Sequence, residues 1–320
     1  MNRRELLAAA AAPLALAIAP AGFARRRGGT ALALVTADLE ASIVAVDLSN
    51  GEIHARLNTP AGPRSIESIG EQAALVAHTE GGRLTLVDSR LRVRPIVGDF
   101  GAPRYTAVSP GRRLAYVTDS ERHEVAVVEL EGRRVIGRTD VGGPARHLGI
   151  DRAGTRLWVA LGSKAHAIAV LSLAEPRRPR VVGTVRPPFL AHDVGFTPGG
   201  RRVWVTSGDR GRIAIYAPRT GGLVRTIAAD APPQHVTFVD DRAFVTSGDD
   251  GVLRIHALDG RRVGSAAVPL GSYNVQQGFG LILTPSLSQG TLCTFSAGGV
   301  PIERARIARS SHDACFVLVA

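Results

Sequence analysis

The 320-residue chain is poor in several residue types at once: one lysine (Lys164), one methionine, two tryptophans, two cysteines and only 5% aromatic residues. Each shortage excludes something. Cys293 and Cys315 form no CxxC pair and no Cys/His spacing of the zinc-finger kind, and no CxxCH segment exists for haem attachment. No GxSxG elbow is present, so the usual frame for a serine nucleophile is missing. Aromatic residues seldom interleave with the arginines, which argues against stacking on nucleic-acid bases. Sustained helical periodicity is also missing, and 36 Gly with 19 Pro would interrupt a coiled coil. The glycines follow no three-residue collagen period. What is plentiful is apolar (45%) and positive, with a formal net charge of +11 carried almost wholly by arginine. Such apolar content excludes a disordered chain. The arginines are scattered through strands and turns, as on a solvated surface rather than a single basic patch.

One apolar run stands apart. Leu6–Ala19 covers 14 residues, is broken by Pro13 and follows Arg3-Arg4. It is too short to span a bilayer, which takes about 20 residues in a helix. A charged start, a short apolar stretch and small residues at Ala19-Pro20-Ala21 or Gly22-Phe23-Ala24 describe a secretory signal. Asn2-Arg3-Arg4-Glu5-Leu6-Leu7 resembles a twin-arginine export signal. Residues 1–24 are therefore expected to direct export and residues 25–320 to fold, placing the protein outside the cytoplasm. There the two cysteines have two open readings, a disulfide or buried free thiols.

The rest of the chain repeats. Short apolar strands ending in Thr or Ala recur at Thr36, Ala77, Thr118, Ala160, Thr206, Thr246 and Thr284, at intervals of 41, 41, 42, 46, 40 and 38 residues. Around each lies the same order of elements: a first strand (Tyr105–Ser109), a Pro/Gly/basic turn (Pro110–Arg113), the aligned strand, a polar turn (Ser247–Gly251), an alternating third strand (Arg212–Tyr216) and a fourth (Arg262–Val268). Period-two alternation between Gly/Asp/Pro turns predicts antiparallel hairpins. Four strands per unit of about 40 residues predict an all-β, seven-bladed β-propeller with four-stranded antiparallel blades. The phase adds a further expectation. The folded chain opens on a second strand at Ala31 and closes on a first strand, His312–Leu318. The C-terminal strand is thus expected to complete the N-terminal blade and leave no sheet edge at the seam.

Leu114-Ala-Tyr-Val-Thr-Asp119 and Val203-Trp-Val-Thr-Ser207 resemble the repeat core of the YVTN-repeat, YncE-like propeller family. Val108-Ser-Pro-Gly111 and Phe196-Thr-Pro-Gly-Gly200 are similar to that family's strand-ending turn, without its Asp. The resemblance covers nearly all of residues 30–320. It implies an exported propeller with a His-bearing mouth and carries over no defined catalytic residue. Propellers host binding proteins, lactonases, lyases and dehydrogenase subunits alike, so function must come from the site.

The first strands of a propeller line its channel, and superposing their starts gives two columns. The first reads Ser65, Arg104, Arg146, His192, Gln234, Tyr273, His312; the second Ile66, Tyr105, His147, Asp193, His235, Asn274, Asp313. Four of the nine histidines fall here, with His-Asp repeated at 192–193 and 312–313. His54, His78, His123, His166 and His256 are read as surface or packing residues. Three readings of the columns stay open. His192, His235 and His312, with Asp193 and Asp313 as ligands or orienters, would hold a divalent or transition metal. Arg104 and Arg146, with His147 and Asn274 nearby, would clamp a carboxylate, lactone or phosphate. Alternatively the side chains satisfy one another and channel water. A Ser-His-Asp triad is unsupported, because adjacent residues on one strand point to opposite faces. The expectation is a monomeric propeller binding a small polar or anionic ligand, or an envelope protein, at its channel mouth, without nucleic acid and without catalysis. The alternative is a metal-assisted hydrolase or lyase acting on a lactone-like substrate, although acidic residues near the columns are few: Glu67, Asp193 and Asp313.

Overall fold

The computed structural model describes residues 29–229 and 231–319, so the export signal expected over residues 1–24 lies outside the described residues. Those described form seven four-stranded antiparallel sheets arranged as the blades of a propeller. Among them the only helical element is a single 3-10 turn at Asp38–Glu40, and no helix is long and apolar enough to cross a membrane. The innermost strands are Pro63–Ile69, Pro103–Val108, Leu148–Ile150, Ala191–Phe196, Val236–Val239, Gln276–Gly278 and Ala314–Val319. Ala314–Val319 pairs with Thr30–Ala37 in the register Ala314↔Val35 through Val319↔Thr30. The seam therefore closes as one C-terminal strand plus three N-terminal strands, as the phase of the repeat predicts. The closure is hydrogen-bonded along its whole length, so the first and last described strands hold the ring shut.

Packing follows from the second and third strands, whose residues are buried on both faces. Leu114–Asp119 is buried at every position, and so is Val203–Ser207. Seven apolar clusters result, one between each pair of adjacent blades. Trp158, Val194 and Tyr216 share one cluster and join two adjacent blades; Leu281, Phe316 and Val44 join the seam blade to its neighbour. A fully buried large apolar side chain contributes about 1.5–3 kcal/mol, so each interface is held by its own core. Outer strands are largely exposed, as in Arg180–Val185 and Pro301–Arg306. Most pair through a bulge that twists the edge, and several carry arginines, which discourages strand addition. Cys293 and Cys315 are free and buried, in different blades, and burial pushes both thiols up, that of Cys293 to about 11.

Candidate functional site at the channel mouth

The threonines that end three of the second strands, Thr118, Thr206 and Thr246, have a physical task. Thr206 Oγ1 accepts the Asp193 N–H at 2.9 Å and donates to the Gln234 carbonyl of the next blade at 2.5 Å. Thr118 does the same between Tyr105 (3.0 Å) and Arg146 (2.6 Å), and Thr246 between His235 and Tyr273. Each hydroxyl thus satisfies a backbone N–H freed at the start of an inner strand and fixes the matching residue of the neighbouring blade. Tyr105, Arg146, Asp193, Gln234, His235 and Tyr273, all in the columns read from the sequence, are so fixed. Two aspartates add a second stitch: Asp193 Oδ2 accepts the Val236 N–H, and Asp313 Oδ2 the Ile66 N–H, each at 3.1 Å and each across to the next blade.

Three imidazoles converge on this frame. Ring centroids of His147 and His192 lie 4.3 Å apart, His147 and His235 4.8 Å, and His192 and His235 5.3 Å. One ring nitrogen from each falls within 4.8 Å of the others. Tyr105 packs its ring against His147 at 4.2 Å and His235 at 5.5 Å. Two of the three are oriented from behind. His192 donates its Nδ1–H to the Ser163 carbonyl at 2.9 Å, and His235 Nδ1 faces Asp193 Oδ2 at 3.4 Å. His147 is 1% exposed, yet neither ring nitrogen has a hydrogen-bond partner. Burial, then the neighbouring His192 and His235, holds its pKa well below 6.5. Burial and His235 likewise lower His192. Burial pushes the Asp193 carboxyl up, but His235 and the Val236 and Val194 amides outweigh it and keep the carboxylate ionised.

His312 does not join this trio. Its Nδ1 donates to the Arg64 carbonyl at 2.5 Å, and Asn274 Nδ2 donates to the His312 carbonyl at 2.7 Å, so the pair locks the seam blade to its neighbours. His147, rather than His312, completes the convergent set. Asp313 sits deeper in the channel, with burial raising its carboxyl to about 6. Glu67, deeper still, is raised to about 8 by burial and by Asp313. Both line an inner cavity of about 150 Å³ below the trio.

Above the trio the mouth is cationic. A cavity of about 270 Å³ is lined by Arg64, Arg146, Lys164, His192, Gln234, His235 and Tyr273, among others, and by one carboxylate, Asp249, which accepts from Gln234 Nε2 at 3.2 Å and the Tyr273 hydroxyl at 2.9 Å. Arg104 stands close by, its Nε donating to Ser120 Oγ at 2.9 Å, and its pKa is lowered by burial and then by repulsion from Arg146 and Arg64. Arg64 reaches Asp38 only at 3.4 Å, and the Nε atoms of Arg64 and Arg146 are buried without a partner. Asp119, whose charge also acts on Arg104, is occupied by the amides of Gly101, Ala102, Glu121 and Arg122. The opposite opening, of about 500 Å³, has Glu67 as its single charged residue and is lined by Phe196, Phe238 and Phe316.

Two mouth residues escape the column alignment. Arg64 is displaced because the inner strand shifts register between Pro63 and Ser65. Lys164, the chain's only lysine, lies with Ser163 on a loop within the longest repeat interval, 46 residues against about 41 elsewhere. That extra length was the available signal.

No family model matches the chain, and no curated protein matches it. Solved structures do. A functionally unknown protein from Desulfotomaculum acetoxidans superposes with TM-score 0.77 at 12% identity, covering 90% of this chain and 99% of its own. The periplasmic gluconolactonase PpgL of Pseudomonas aeruginosa gives TM-score 0.71 at 18% identity, with 91% and 99% covered. A putative 6-phosphogluconolactonase from Bacteroides fragilis gives 0.72 at 11%, with 91% and 98% covered. At such identities the likeness establishes the seven-bladed fold and nothing finer.

Proposed function

We propose that this protein is an exported propeller, of the YVTN-repeat kind, that binds a small anionic molecule in its channel mouth. The observation that carries the reading is the gathering of Arg64, Arg146 and Lys164 around one recess that holds a single carboxylate, Asp249, with Arg104 near enough to be repelled by Arg146 and Arg64. Like charges pressed together repel, an anion bound between them relieves that repulsion, and guanidinium groups offer the paired donors that carboxylate and phosphate accept. A volume of about 270 Å³ falls just below the roughly 300–1,000 Å³ usual for ligand sites, which suits a sugar acid or phosphate ester better than a protein segment. Calorimetric titration with inorganic phosphate, gluconate and 6-phosphogluconate tests it. Binding that falls at least tenfold in Arg104→Ala and Arg146→Ala is the expected outcome; no heat with any of the three, or full affinity in both variants, overturns it.

A second reading, hydrolysis of a lactone, is favoured by the imidazoles set beside the arginines, which would supply a base or metal ligands next to a site for the product carboxylate. Two of the similar folds bear the names of gluconolactonases. Ring opening of glucono-δ-lactone faster than its spontaneous rate, lost in His192→Ala, would establish this reading over simple binding.

A further inference from the structure

We infer that His147, His192 and His235 form a binding site for one late first-row divalent cation, of the zinc class, at the floor of the mouth. Three independent features of the trio point this way. First, the donor set is uniform: three imidazoles, one from each of three successive blades, with one nitrogen from each within 4.8 Å of the others. Around a tetrahedral ion with metal–nitrogen bonds of about 2.0–2.1 Å, such nitrogens lie roughly 3.4 Å apart, so each moves by under about 1 Å to close on the ion. Rotation about the side-chain torsions supplies such a shift without moving the strands.

Second, the outer nitrogens are tied in the manner that metal-binding histidines use. Ser163 O takes the Nδ1–H of His192, and Asp193 stands at Nδ1 of His235. A carbonyl or carboxylate at Nδ1 puts the lone pair on Nε2 and sets the plane of the ring. Third, His147 is an unpartnered polar ring buried to 1% and enclosed by the other two and by Tyr105. A buried polar side chain with no partner costs about 1–3 kcal/mol, and a cation between the rings would satisfy the lone-pair nitrogen of His147.

Neutral imidazoles select zinc, nickel or copper over magnesium and calcium, which prefer oxygen. With three protein ligands, one position stays open, and His192 and His235 both line the mouth cavity from which that position would be filled. Arg146 near the trio opposes a dication, while the Asp193 carboxylate offsets it. The site is separate from the anion reading, which rests on the arginines and needs no metal.

The full chain, stripped with a chelator, is titrated calorimetrically with Zn2+ and, separately, with Mg2+. One zinc per chain is expected, with no Mg2+ binding. His147→Ala, His192→Ala and His235→Ala should each weaken zinc at least tenfold, and Asp193→Asn about 10–100-fold as a positioning residue. His54→Ala, an exposed histidine on an outer strand, should leave zinc affinity unchanged. Bound Co2+ should show the intense visible absorption of a low-coordinate ion. Should His147→Ala fail to fold, His192→Ala carries the test, since its ring is half-buried at the mouth. Absence of zinc binding, or wild-type affinity in His192→Ala, overturns the site. Phosphate titration of the same stripped protein is read independently, so loss of either result leaves the other standing.

Discussion

His78 and His147 are both buried imidazoles in the same ring of blades, 0% and 1% exposed, and they differ in nearly everything else. His78 ends a second strand in the blade of residues 63–95. Its Nδ1–H donates to the Pro60 carbonyl at 3.0 Å, and Nε2 accepts from the Thr85 hydroxyl at 2.8 Å. Every polar atom of that ring is satisfied, and the ring ties the interblade loop at residues 59–60 to the third strand. His147 has no partner at either nitrogen. Burial alone therefore separates nothing. Accounting for partners does: a satisfied buried histidine is a latch, whereas an unsatisfied one among other histidines is a receptor.

The sharpest way to break this contrast is substitution. His78→Ala opens a cavity and leaves the Pro60 carbonyl and Thr85 hydroxyl buried without their partner. A loss of about 2–4 kcal/mol is expected in urea denaturation. His147→Leu in chelator-stripped protein strands nothing and removes an unpartnered ring, so its stability should equal or exceed wild type. Equal destabilisation by both would dissolve the distinction.

Acid gives a smaller and graded version. Burial lowers the His78 pKa from 6.5 to about 4, partly offset by the Pro60 carbonyl. A folded-state pKa below the unfolded value means that stability is present above pH 6.5 and is lost as pH falls through about 4. The amount is on the order of 3 kcal/mol. His147, His192 and His312 are lowered as well and titrate in the same direction. The measurement is therefore a difference: urea midpoints of wild type and His78→Gln between pH 7 and pH 4, with the wild type falling more steeply. Parallel curves would mean that His78 is not the latch described.

Much of the fold was legible in the sequence because a propeller writes its geometry as a period. Alternating strands, Gly/Pro turns and the terminal Thr each answer to a local requirement, and the phase at Ala31 and His312 already contained the closure. The columns also brought His147, His192 and His235 onto one list, since equivalent positions in seven blades surround one axis. Which three converge was not legible. That choice depends on the register shift between Ala191 and Val194, which turns His192 towards the Ser163 loop, and on the Arg64 carbonyl, which draws His312 away. Arg64 and Lys164 were hidden by a bulge and by an inserted loop. Such events change side-chain direction without changing the period. His78, read as a surface or packing residue, proved to be fully buried and hydrogen-bonded, because the loop that supplies its partner comes from the preceding blade's end.

The comparison extends to a carboxylate. Glu67 lies in the channel below the trio, where burial and Asp313 raise its pKa to about 8. For an acid whose folded value exceeds its unfolded one, the sign is opposite to that of His78: stability is intact below about pH 4.5 and falls as pH rises through about 8. Glu67→Gln keeps the shape and removes the charge, so the variant should melt at a higher temperature than wild type at pH 8.5 and at nearly the same temperature at pH 5. The effect is expected to be the smallest of the three, since Glu67 also lines the wide opposite opening, where water screens it. Equal melting temperatures at both pH values would show that the lower channel is wet enough to solvate a carboxylate. The contrast between an imidazole-lined upper channel and a wider lower one would then rest on shape alone.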